Sequence, residues 1–448
     1  MNYTRDNIVA IASGTGYAGV GIIRISGYDL FPIIEAISGK KNLKPRYAQY
    51  CNFYDDKNEI LDSGILIYFD NPKSFTGEDV VELQTHGSPV VLNMLLKYCI
   101  SLGCRHAQPG EFTKRAYLNG KLDLLQAESI ADLIHAESEA SAKGAIKSLR
   151  GEFSHFINAI NERLINLRMF VEASLDFPDE DIEFVANAKI KEKLEVIRNE
   201  IHPLLKTTRQ GVFLNNGVNT VIIGQPNVGK SSLLNVIANE EVAIVTDIAG
   251  TTRDIVKQKI IIDGIPFNII DTAGIRQTED AVEKIGIERA IHAISEADIC
   301  IILIDSRSGI MAEDKLILEY VPDHVKKIYV HNKIDLSGEV PRISVEAEKT
   351  NIYISAKHKA GIDELRKYLL DTVGFESATE SLFIARTRHL NAMQKAVSHI
   401  NTAFVHWEEL EILAEELRYA HTALGEITGE FSADDLLGEI FSKFCIGK

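Results

Sequence analysis

Cysteine is scarce in this sequence, and the five cysteines follow no metal-binding or disulfide pattern. No two of them form a Cys-x-x-Cys pair, and none stands beside a pair of histidines that would complete a zinc site. This excludes a zinc-finger fold and a disulfide-built secreted fold. We expect free thiols in a reducing compartment. The cysteines are Cys51, Cys99, Cys104, Cys300 and Cys445.

Long apolar runs are also missing. No segment approaches the roughly 20 consecutive apolar residues that a membrane-spanning helix needs. The first residues, 1–7, show no basic run leading into the apolar stretch of a secretory signal. We therefore expect a cytoplasmic protein that does not associate with membranes.

Basic residues are in the minority. Lys and Arg number 48 against 64 Asp and Glu, which gives a formal net charge of −16. A protein that binds many nucleic-acid phosphates normally has a basic surface. Any contact with RNA must therefore be local or largely supplied by a partner.

The length and the pattern of the sequence indicate several domains. A chain of 448 residues exceeds what one hydrophobic core usually supports. Residues 1–118 alternate short apolar runs with turns, which predicts a small α+β domain. Residues 216–376 alternate apolar, strand-like runs with helical segments, the pattern of a doubly wound α/β domain.

Helical periodicity dominates residues 119–215 and returns in residues 377–448, which end in Cys-Ile-Gly-Lys. Apolar residues recur at steps of three and four from Ile157 to Val171 and again from Leu410 to Ile427. The simplest packing sets these two stripes against each other. The α/β domain would then be an insertion into a discontinuous α-helical domain.

One glycine motif is misleading. The run from Gly14 to Gly19 fits Gly-x-Gly-x-x-Gly, but it leads into a strand-like segment and not into a helix. The dinucleotide-binding context is therefore absent. We expect these glycines to form a turn between two strands.

A phosphate-binding loop stands at residues 224–231, in the run Gly-Gln-Pro-Asn-Val-Gly-Lys-Ser. A strand precedes it and a helix follows, so backbone N–H groups and a helix N-terminus can hold β- and γ-phosphates. Lys230 places a cation on these phosphates, and the Ser231 hydroxyl is available to Mg²⁺.

Three further elements follow in the order that a Ras-like GTPase requires. Residues 246–254 form a polar segment whose threonines can close on Mg²⁺ and the γ-phosphate. Asp271 ends a predicted strand and begins Asp-Thr-Ala-Gly, where it can hold the metal through water. Asp335, in Asn-Lys-Ile-Asp, can accept both N1–H and N2–H₂ of guanine, which adenine does not offer.

The predicted GTP contacts form one set, to which the Ser-Ala-Lys run after the last strand belongs. They are Asn227, Val228, Gly229, Lys230, Ser231, Ser232, Thr246, Asp247, Ile248, Ala249, Gly250, Thr251, Thr252, Asp271, Thr272, Ala273, Gly274, Asn332, Lys333, Ile334, Asp335, Ser355, Ala356 and Lys357.

Ile275 follows Gly274 where a Ras-type enzyme has the glutamine that orients the attacking water. Something else must position that water. The residues themselves leave three candidates: Asn227, the cluster at residues 251–254, and the acidic segment at residues 279–283.

The whole chain resembles the tRNA-modification GTPase family MnmE, also called TrmE. Besides the GTPase elements, the resemblance is carried by five stretches with highly specific motifs. They are residues 19–27 (GVGIIRISG), 75–87 (FTGEDVVELQTHG), 109–116 (PGEFTKRA), 119–124 (NGKLDL) and 436–448 (LLGEIFSKFCIGK).

This resemblance implies a multidomain α/β protein with an N-terminal α+β domain that dimerises and binds folate, a discontinuous helical domain and an inserted Ras-like GTPase domain. It implies a homodimer that binds a tetrahydrofolate derivative, either 5-formyl or 5,10-methylene. It also implies a complex with the FAD protein MnmG, a heterotetramer or larger. Together they would add an aminomethyl or carboxymethylaminomethyl group to C5 of the wobble uridine of certain tRNAs.

The resemblance also assigns individual residues. Four positions match the family's folate contacts: Arg24, Glu82, Lys121 and Lys448. Potassium would be held by Asn227 with the backbone of Thr246, Ile248 and Thr251, and magnesium by Ser231 and Thr252. Glu283 would orient the water, so the implied catalytic residues are Glu283, Lys230 and Asn227.

Two other functions remain open from the residues. The chain could be a regulatory GTPase switch in the assembly of an RNA-protein particle, with its outer domains as docking surfaces. It could also be a housekeeping GTPase whose helical part only dimerises. Folate binding by the N-terminal domain separates the modification function from both.

Overall fold

A computed structural model provides the architecture of the chain. It describes residues 6–14, 16–176, 183–238, 257–271, 292–346, 349–375, 382–430, 434–442 and 444–447. The strands are β1 Ile8–Ile11, β2 Ala18–Gly27, β3 Gln49–Tyr54, β4 Ile60–Phe69, β5 Asp79–Gly87, β6 Arg105–His106, β7 Val218–Ile223, β8 Lys257–Ile262, β9 Ile265–Asp271, β10 Ile299–Asp305, β11 Lys326–Asn332, β12 Arg342–Glu346 and β13 Lys349–Tyr353.

The described residues contain fourteen helices. They are α1 Phe31–Ser38, α2 Pro89–Ser101, α3 Glu111–Leu118, α4 Leu124–Ile134, α5 Glu139–Leu149, α6 Glu152–Asp176, α7 Glu183–Asn216, α8 Lys230–Ala238, α9 Ala312–Leu318, α10 Ile334–Ser337, α11 Ile362–Thr372, α12 Thr387–Val405, α13 Leu410–Thr428 and α14 Asp434–Ser442. Within the described residues, no helix is long and apolar enough to cross a membrane.

The chain divides into two compact units. The first comprises residues 1–134, 148–198 and 395–448, and the second comprises residues 135–147 and 199–394. The predicted domain boundaries at 118, 215 and 376 stay predictions.

The first unit contains a six-stranded sheet with the order β3-β4-β5-β2-β1-β6. Neighbouring strands are antiparallel except β1 and β6, which are parallel. Alternate side chains face opposite sides of a strand. In β2, Ile23 and Ile25 therefore enter a core with α1 and α2, and Arg24 lies on the other face. The β1–β2 pairing confirms that Gly14 and Gly16 lie between two strands, whereas Gly19 already belongs to β2.

Two long helices of the first unit pack against each other, α6 and α13. The apolar stripes predicted from the spacing are buried, with Leu164 and Leu167 on α6 and Leu417 and Leu424 on α13 all fully inaccessible. The predicted packing of the C-terminal stripe on the earlier one is confirmed. It brings together residues more than 230 positions apart, on either side of residues 199–394 of the second unit.

The second unit contains a seven-stranded sheet with the order β12-β13-β11-β10-β7-β9-β8. The five central strands run parallel, and β8 and β12 pair antiparallel at the two edges. Every residue of β10 is buried. Ile301 and Leu303 enter one core, and Cys300 and Ile302 enter another on the opposite face. The predicted doubly wound α/β arrangement is confirmed, since parallel strands covered on both faces need such continuous apolar runs.

Candidate functional site

The phosphate-binding loop leaves the carboxyl end of the central strand β7 and enters α8 at Lys230. Glycine is required at two positions of this loop, because neighbouring atoms lie too close to leave room for a side chain. A side chain at Gly224 would come within 2.5 Å of the Leu303 carbonyl oxygen. At Gly229, where φ is +101°, a Cβ would come within 2.5 Å of Asn332 Nδ2. The loop therefore packs tightly on the ends of the neighbouring strands.

Lys230 lies at the first position of α8, where it can reach phosphates at the helix N-terminus. Its Nζ donates a hydrogen bond to the Gly224 carbonyl at 2.9 Å, so the cation lies across the loop. Ser231 and Ser232 are exposed on the first turn of the helix. Helix N-terminal N–H groups, a cation and exposed hydroxyls form an arrangement suited to an anionic phosphate and its metal ion.

Asn332 ties the phosphate loop to the segment that follows the last strand. Its side chain is 2% exposed. Asn332 Nδ2 donates to the Val228 carbonyl at 2.8 Å, and Asn332 Oδ1 accepts from the Ala356 N–H at 3.0 Å. One buried amide therefore fixes two loops that are far apart in the sequence, because it satisfies a backbone group of each.

Lys333 makes a second link. It adopts a left-handed conformation with φ of +66°, and its Nζ donates to the Asn227 carbonyl at 2.6 Å. The same Nζ lies 3.0 Å from Asp305 Oδ2. Arg307 and, after it, Lys333 hold the pKa of Asp305 well below its usual value. Sequence reasoning missed Asp305, although its place at the carboxyl end of a parallel strand is a signal for a site residue.

Asp335 is the second residue of α10 and lies next to the Ser-Ala-Lys segment. The Ser355 hydroxyl donates to Asp335 Oδ1 at 2.6 Å, and His358 Nε2 lies 3.7 Å from Asp335 Oδ2. The hydrogen bond from Ser355 lowers the pKa of Asp335. The carboxylate is therefore ionised at neutral pH and can accept hydrogen bonds from a base. Nearby, the Ile334 N–H donates to the Ile354 carbonyl, and Lys357 is exposed.

The structure thus brings together the predicted residues of the phosphate loop, the Asn-Lys-Ile-Asp segment and the Ser-Ala-Lys segment. Other predicted residues lie outside the described part of the chain, and for Asp271 only the strand backbone is described. Those outside are Thr246, Asp247, Ile248, Ala249, Gly250, Thr251, Thr252, Thr272, Ala273, Gly274, Glu283 and Lys448. The candidate water-positioning segments at 251–254 and 279–283 also fall there.

Among the described residues, no group of three or more His, Cys, Asp or Glu side chains could hold a metal ion. Magnesium at a phosphate site needs only one or two protein ligands beside the phosphates and water. The exposed Ser231 hydroxyl fits that role, and the exposed Asn227 fits that of a monovalent-cation ligand.

A second group of predicted residues meets in the first unit. Arg24 donates from Nε and Nη2 to one oxygen of Glu82, at 3.0 and 2.9 Å, and both side chains are largely buried. The Gly447 carbonyl accepts from Arg24 Nη1 at 3.4 Å, so the segment before Lys448 reaches this pair. Within the described residues, Glu82 Oε2 has no donor and is available to an N–H group of a ligand.

Aromatic rings and a lysine extend this site. The Arg24 guanidinium lies 5.8 Å from the ring centres of both Phe75 and Phe112. Phe75 also lines a cavity of about 560 Å³, and Lys121 lines the same cavity. Three of the four predicted folate residues therefore lie at one site. Phe75 and Phe112, which lie beside Arg24, were not among the residues predicted from the sequence.

The fold and these contacts define a class. A doubly wound sheet with a phosphate-binding loop, bridged by Asn332 to the predicted guanine-recognition segment, is that of a P-loop GTPase. The family model described as MnmE helical domain matches residues 124–445, and the one described as GTP-binding protein TrmE N-terminus matches residues 7–121. The chain belongs to the MnmE family of tRNA modification GTPases.

Relatives of similar length support this membership. The tRNA modification GTPase MnmE of Chromobacterium violaceum is 53% identical over all of both chains. That of Laribacter hongkongensis is 51% identical, also over all of both chains. A protein of the same name from Neisseria meningitidis is 52% identical over 98% of each chain.

Solved structures cover a smaller part of the chain. Aquifex aeolicus Era, bound to GDP and aluminium fluoride, is 27% identical over 40% of this chain and 65% of its own, with a TM-score of 0.27. The G domain of the Thermotoga FeoB iron transporter is 22% identical over 35% of this chain and 98% of its own, with a TM-score of 0.26.

Proposed function

We propose that this GTPase, together with a flavoprotein similar to MnmG, adds an aminomethyl or carboxymethylaminomethyl group to C5 of the wobble uridine of certain tRNAs. Its full-length relatives carry the name tRNA modification GTPase, which supports the coarser part of the proposal. The observation that carries the GTPase part is the Asn332 bridge, which joins phosphate binding to base recognition in one unit.

The nucleotide roles follow from the chemistry of each group. Lys230 would bind the β- and γ-phosphates, and Ser231 with Thr252 would hold Mg²⁺. The ionised Asp335 would accept two hydrogen bonds from guanine, which favours GTP over ATP. Glu283 would orient the attacking water.

A potassium ion would stabilise charge that develops during hydrolysis, because Ile275 replaces the glutamine that a Ras-type enzyme uses. Asn227 would provide its exposed side-chain oxygen. Its backbone carbonyl is already engaged by Lys333, so only the amide is available to the ion.

The N-terminal site would bind tetrahydrofolate, which supplies the one-carbon unit when bound. Glu82 would accept from the N–H groups of the pterin, and basic residues would bind the glutamate carboxylates. Arg24 positions Glu82 by two hydrogen bonds to one oxygen. Lys121 is fixed near the same site, since its Nζ donates to the Pro72 carbonyl at 2.9 Å.

We further propose a homodimer whose GTPase domains pair during hydrolysis and so drive a conformational step needed for the modification. The partner would hold FAD and most of the tRNA contacts, because a chain with a net charge of −16 offers few cations for phosphates.

Nucleoside mass spectrometry of tRNA from cells that lack the protein tests this function. We expect the C5-modified wobble uridines to disappear and to return when the wild-type chain is restored. Asp335→Asn and Glu82→Gln chains should fail to restore them. Unchanged wobble uridines in the deletion strain would disprove the proposal.

A further inference from the structure

The cavity beside the Arg24–Glu82 pair has an unusual distribution of charge. Seven residues line it, three are basic and none is acidic: Arg46, Ile67, Phe69, Lys73, Ser74, Phe75 and Lys121. The chain as a whole carries 64 acidic against 48 basic residues. The charged residues of the lining are therefore all cations, although acidic residues outnumber basic ones in the chain as a whole.

The three cations have no ionic partner in the part of the chain that the structure describes. Within the described residues, no carboxylate lies within salt-bridge distance of Arg46, Lys73 or Lys121. Arg46 Nη2 donates to the Lys73 carbonyl, and Lys121 Nζ donates to the Pro72 carbonyl. Neutral backbone oxygens hold these side chains in place but do not neutralise them. Cations gathered around one cavity repel each other, so an anion that enters it relieves that repulsion.

The cavity adjoins the proposed folate site through Ile67 and Phe75. Ile67 stands opposite Glu82, and Glu82 opposite Arg24, on neighbouring strands β4, β5 and β2. Directly paired residues project from the same face of a sheet. The Arg24–Glu82 pair and the Ile67 wall of the cavity therefore share one face, and Phe75 lies between Arg24 and the cavity.

The geometry points to an oligoanionic chain as the occupant of this cavity. We propose that Arg46 and Lys73 bind the second and later carboxylates of a γ-linked oligoglutamate tail, so that the protein prefers polyglutamylated tetrahydrofolate to the monoglutamate. This inference rests on the folate binding proposed above. Lys121, which lines the cavity and is one of the predicted folate contacts, would take the first glutamate, and Arg46 and Lys73 are the cations that remain.

Binding of 5-formyltetrahydrofolate with one and with five glutamates to the full-length protein, measured by calorimetry, tests the inference. Exposed ion pairs contribute modestly, so we expect the pentaglutamate to bind roughly fivefold to tenfold more tightly. The ratio of the pentaglutamate affinity to the monoglutamate affinity should fall towards one as the salt concentration rises from about 0.05 M to about 0.5 M.

Charge-removing variants identify the residues. In Arg46→Gln/Lys73→Gln the ratio of the two affinities should fall to about one, and Arg46→Lys should retain most of the preference. Lys57→Gln is the matched control, because Lys57 is exposed on the same domain and does not line the cavity. Thermal unfolding of each variant by circular dichroism verifies that it is folded.

The outcomes separate this inference from the function on which it rests. If neither folate binds, the proposed folate site is wrong. If both bind equally to the wild type, folate binding stands and the tail inference is overturned. If the double variant loses affinity for tRNA and keeps its preference for the pentaglutamate, the cavity binds RNA phosphates and the inference is likewise overturned.

Discussion

Replacing Asn332 by alanine should uncouple the phosphate loop from the base-recognition segment. The substitution removes the donor to the Val228 carbonyl and the acceptor for the Ala356 N–H. Because Asn332 is 2% exposed, water does not readily replace the lost partners. A buried polar group without a partner costs about 1–3 kcal/mol, so two of them should cost about 2–6 kcal/mol together.

This cost is divided between folding and nucleotide binding. If all of it appeared in binding, GTP affinity would fall about 30-fold to about 20,000-fold, at about 1.4 kcal/mol per tenfold. We expect a loss of at least tenfold in GTP and GDP affinity together with a lower urea midpoint of unfolding for the nucleotide-free protein. Fluorescent-nucleotide titration measures the first quantity, and urea unfolding measures the second.

The control is Asn351→Ala in the same sheet. The Asn351 side chain is bonded to His331 Nε2 at 3.0 Å and touches neither loop. It should change stability slightly and leave nucleotide affinity within twofold. If Asn332→Ala bound GTP as the wild type does and unfolded at the same urea concentration, the bridging role assigned to Asn332 would be refuted.

Four further predictions concern other parts of the molecule. Asp335→Asn should move preference from guanine to xanthine nucleotides, and unchanged affinity for GTP in competition titrations would contradict its role. Asn227→Ala should abolish the excess of hydrolysis in potassium over sodium buffer, and an excess that persists in phosphate-release assays would exclude this ligand. Leu417→Ala, at a fully buried position, should cost about 2–5 kcal/mol in urea unfolding, against little for the exposed Glu415→Ala. The pKa of Asp305 is held below the usual 3.8, chiefly by Arg307, so its ionised form stabilises the fold above that pH and the contribution is lost as pH falls below it. In the Asp305→Asn variant the free energy of unfolding should therefore fall less between about pH 4 and pH 2 than it does in the wild type. The same pH dependence in both proteins would count against the pairing of Asp305 with Arg307 and Lys333.

The parallel core of the second unit could be predicted from the sequence, and its edges could not. Continuous apolar runs such as Ile299–Asp305 indicate strands that are buried on both faces. The two edge strands, Lys257–Ile262 and Arg342–Glu346, each pair with one neighbour only. In Arg342–Glu346, polar residues alternate with Ile343 and Val345. Such short alternating segments resemble loops until the neighbouring hairpin partner is known.

Short elements of the first unit were likewise not predictable from the sequence alone. The strand Gln49–Tyr54 and the helix Phe31–Ser38 are short, and no long apolar run marks them in the sequence. They are stabilised by the shared core against which their apolar residues pack, including Phe53 and Ile34. Tertiary packing therefore determines these elements more than local propensity does.

The nucleotide site was predictable as residue types at fixed spacing, because each short motif carries its own chemistry. The links between motifs were not predictable. Asn332 and Val228 are 104 residues apart, and Lys333 and Asn227 are 106 residues apart. No spacing rule predicts which side chain closes such a gap, because the strand order of the sheet decides it.

Lys333 shows why these links matter for the proposed cation site. Its ammonium group lies 2.6 Å from the carbonyl oxygen of Asn227, the residue whose side chain would hold potassium. A fixed positive charge so close would disfavour a second cation. Asp305 offsets that charge, because its carboxylate lies 3.0 Å from Lys333 Nζ and stays ionised far below neutral pH. Arg307 also pairs with Asp305, at 2.8 Å, so the three groups together keep one net positive charge. Asp305 therefore offsets the charge of Lys333 only in part while Lys333 orients the Asn227 backbone, and a monovalent cation at the Asn227 amide would depend on the anionic phosphates of the nucleotide for its stability.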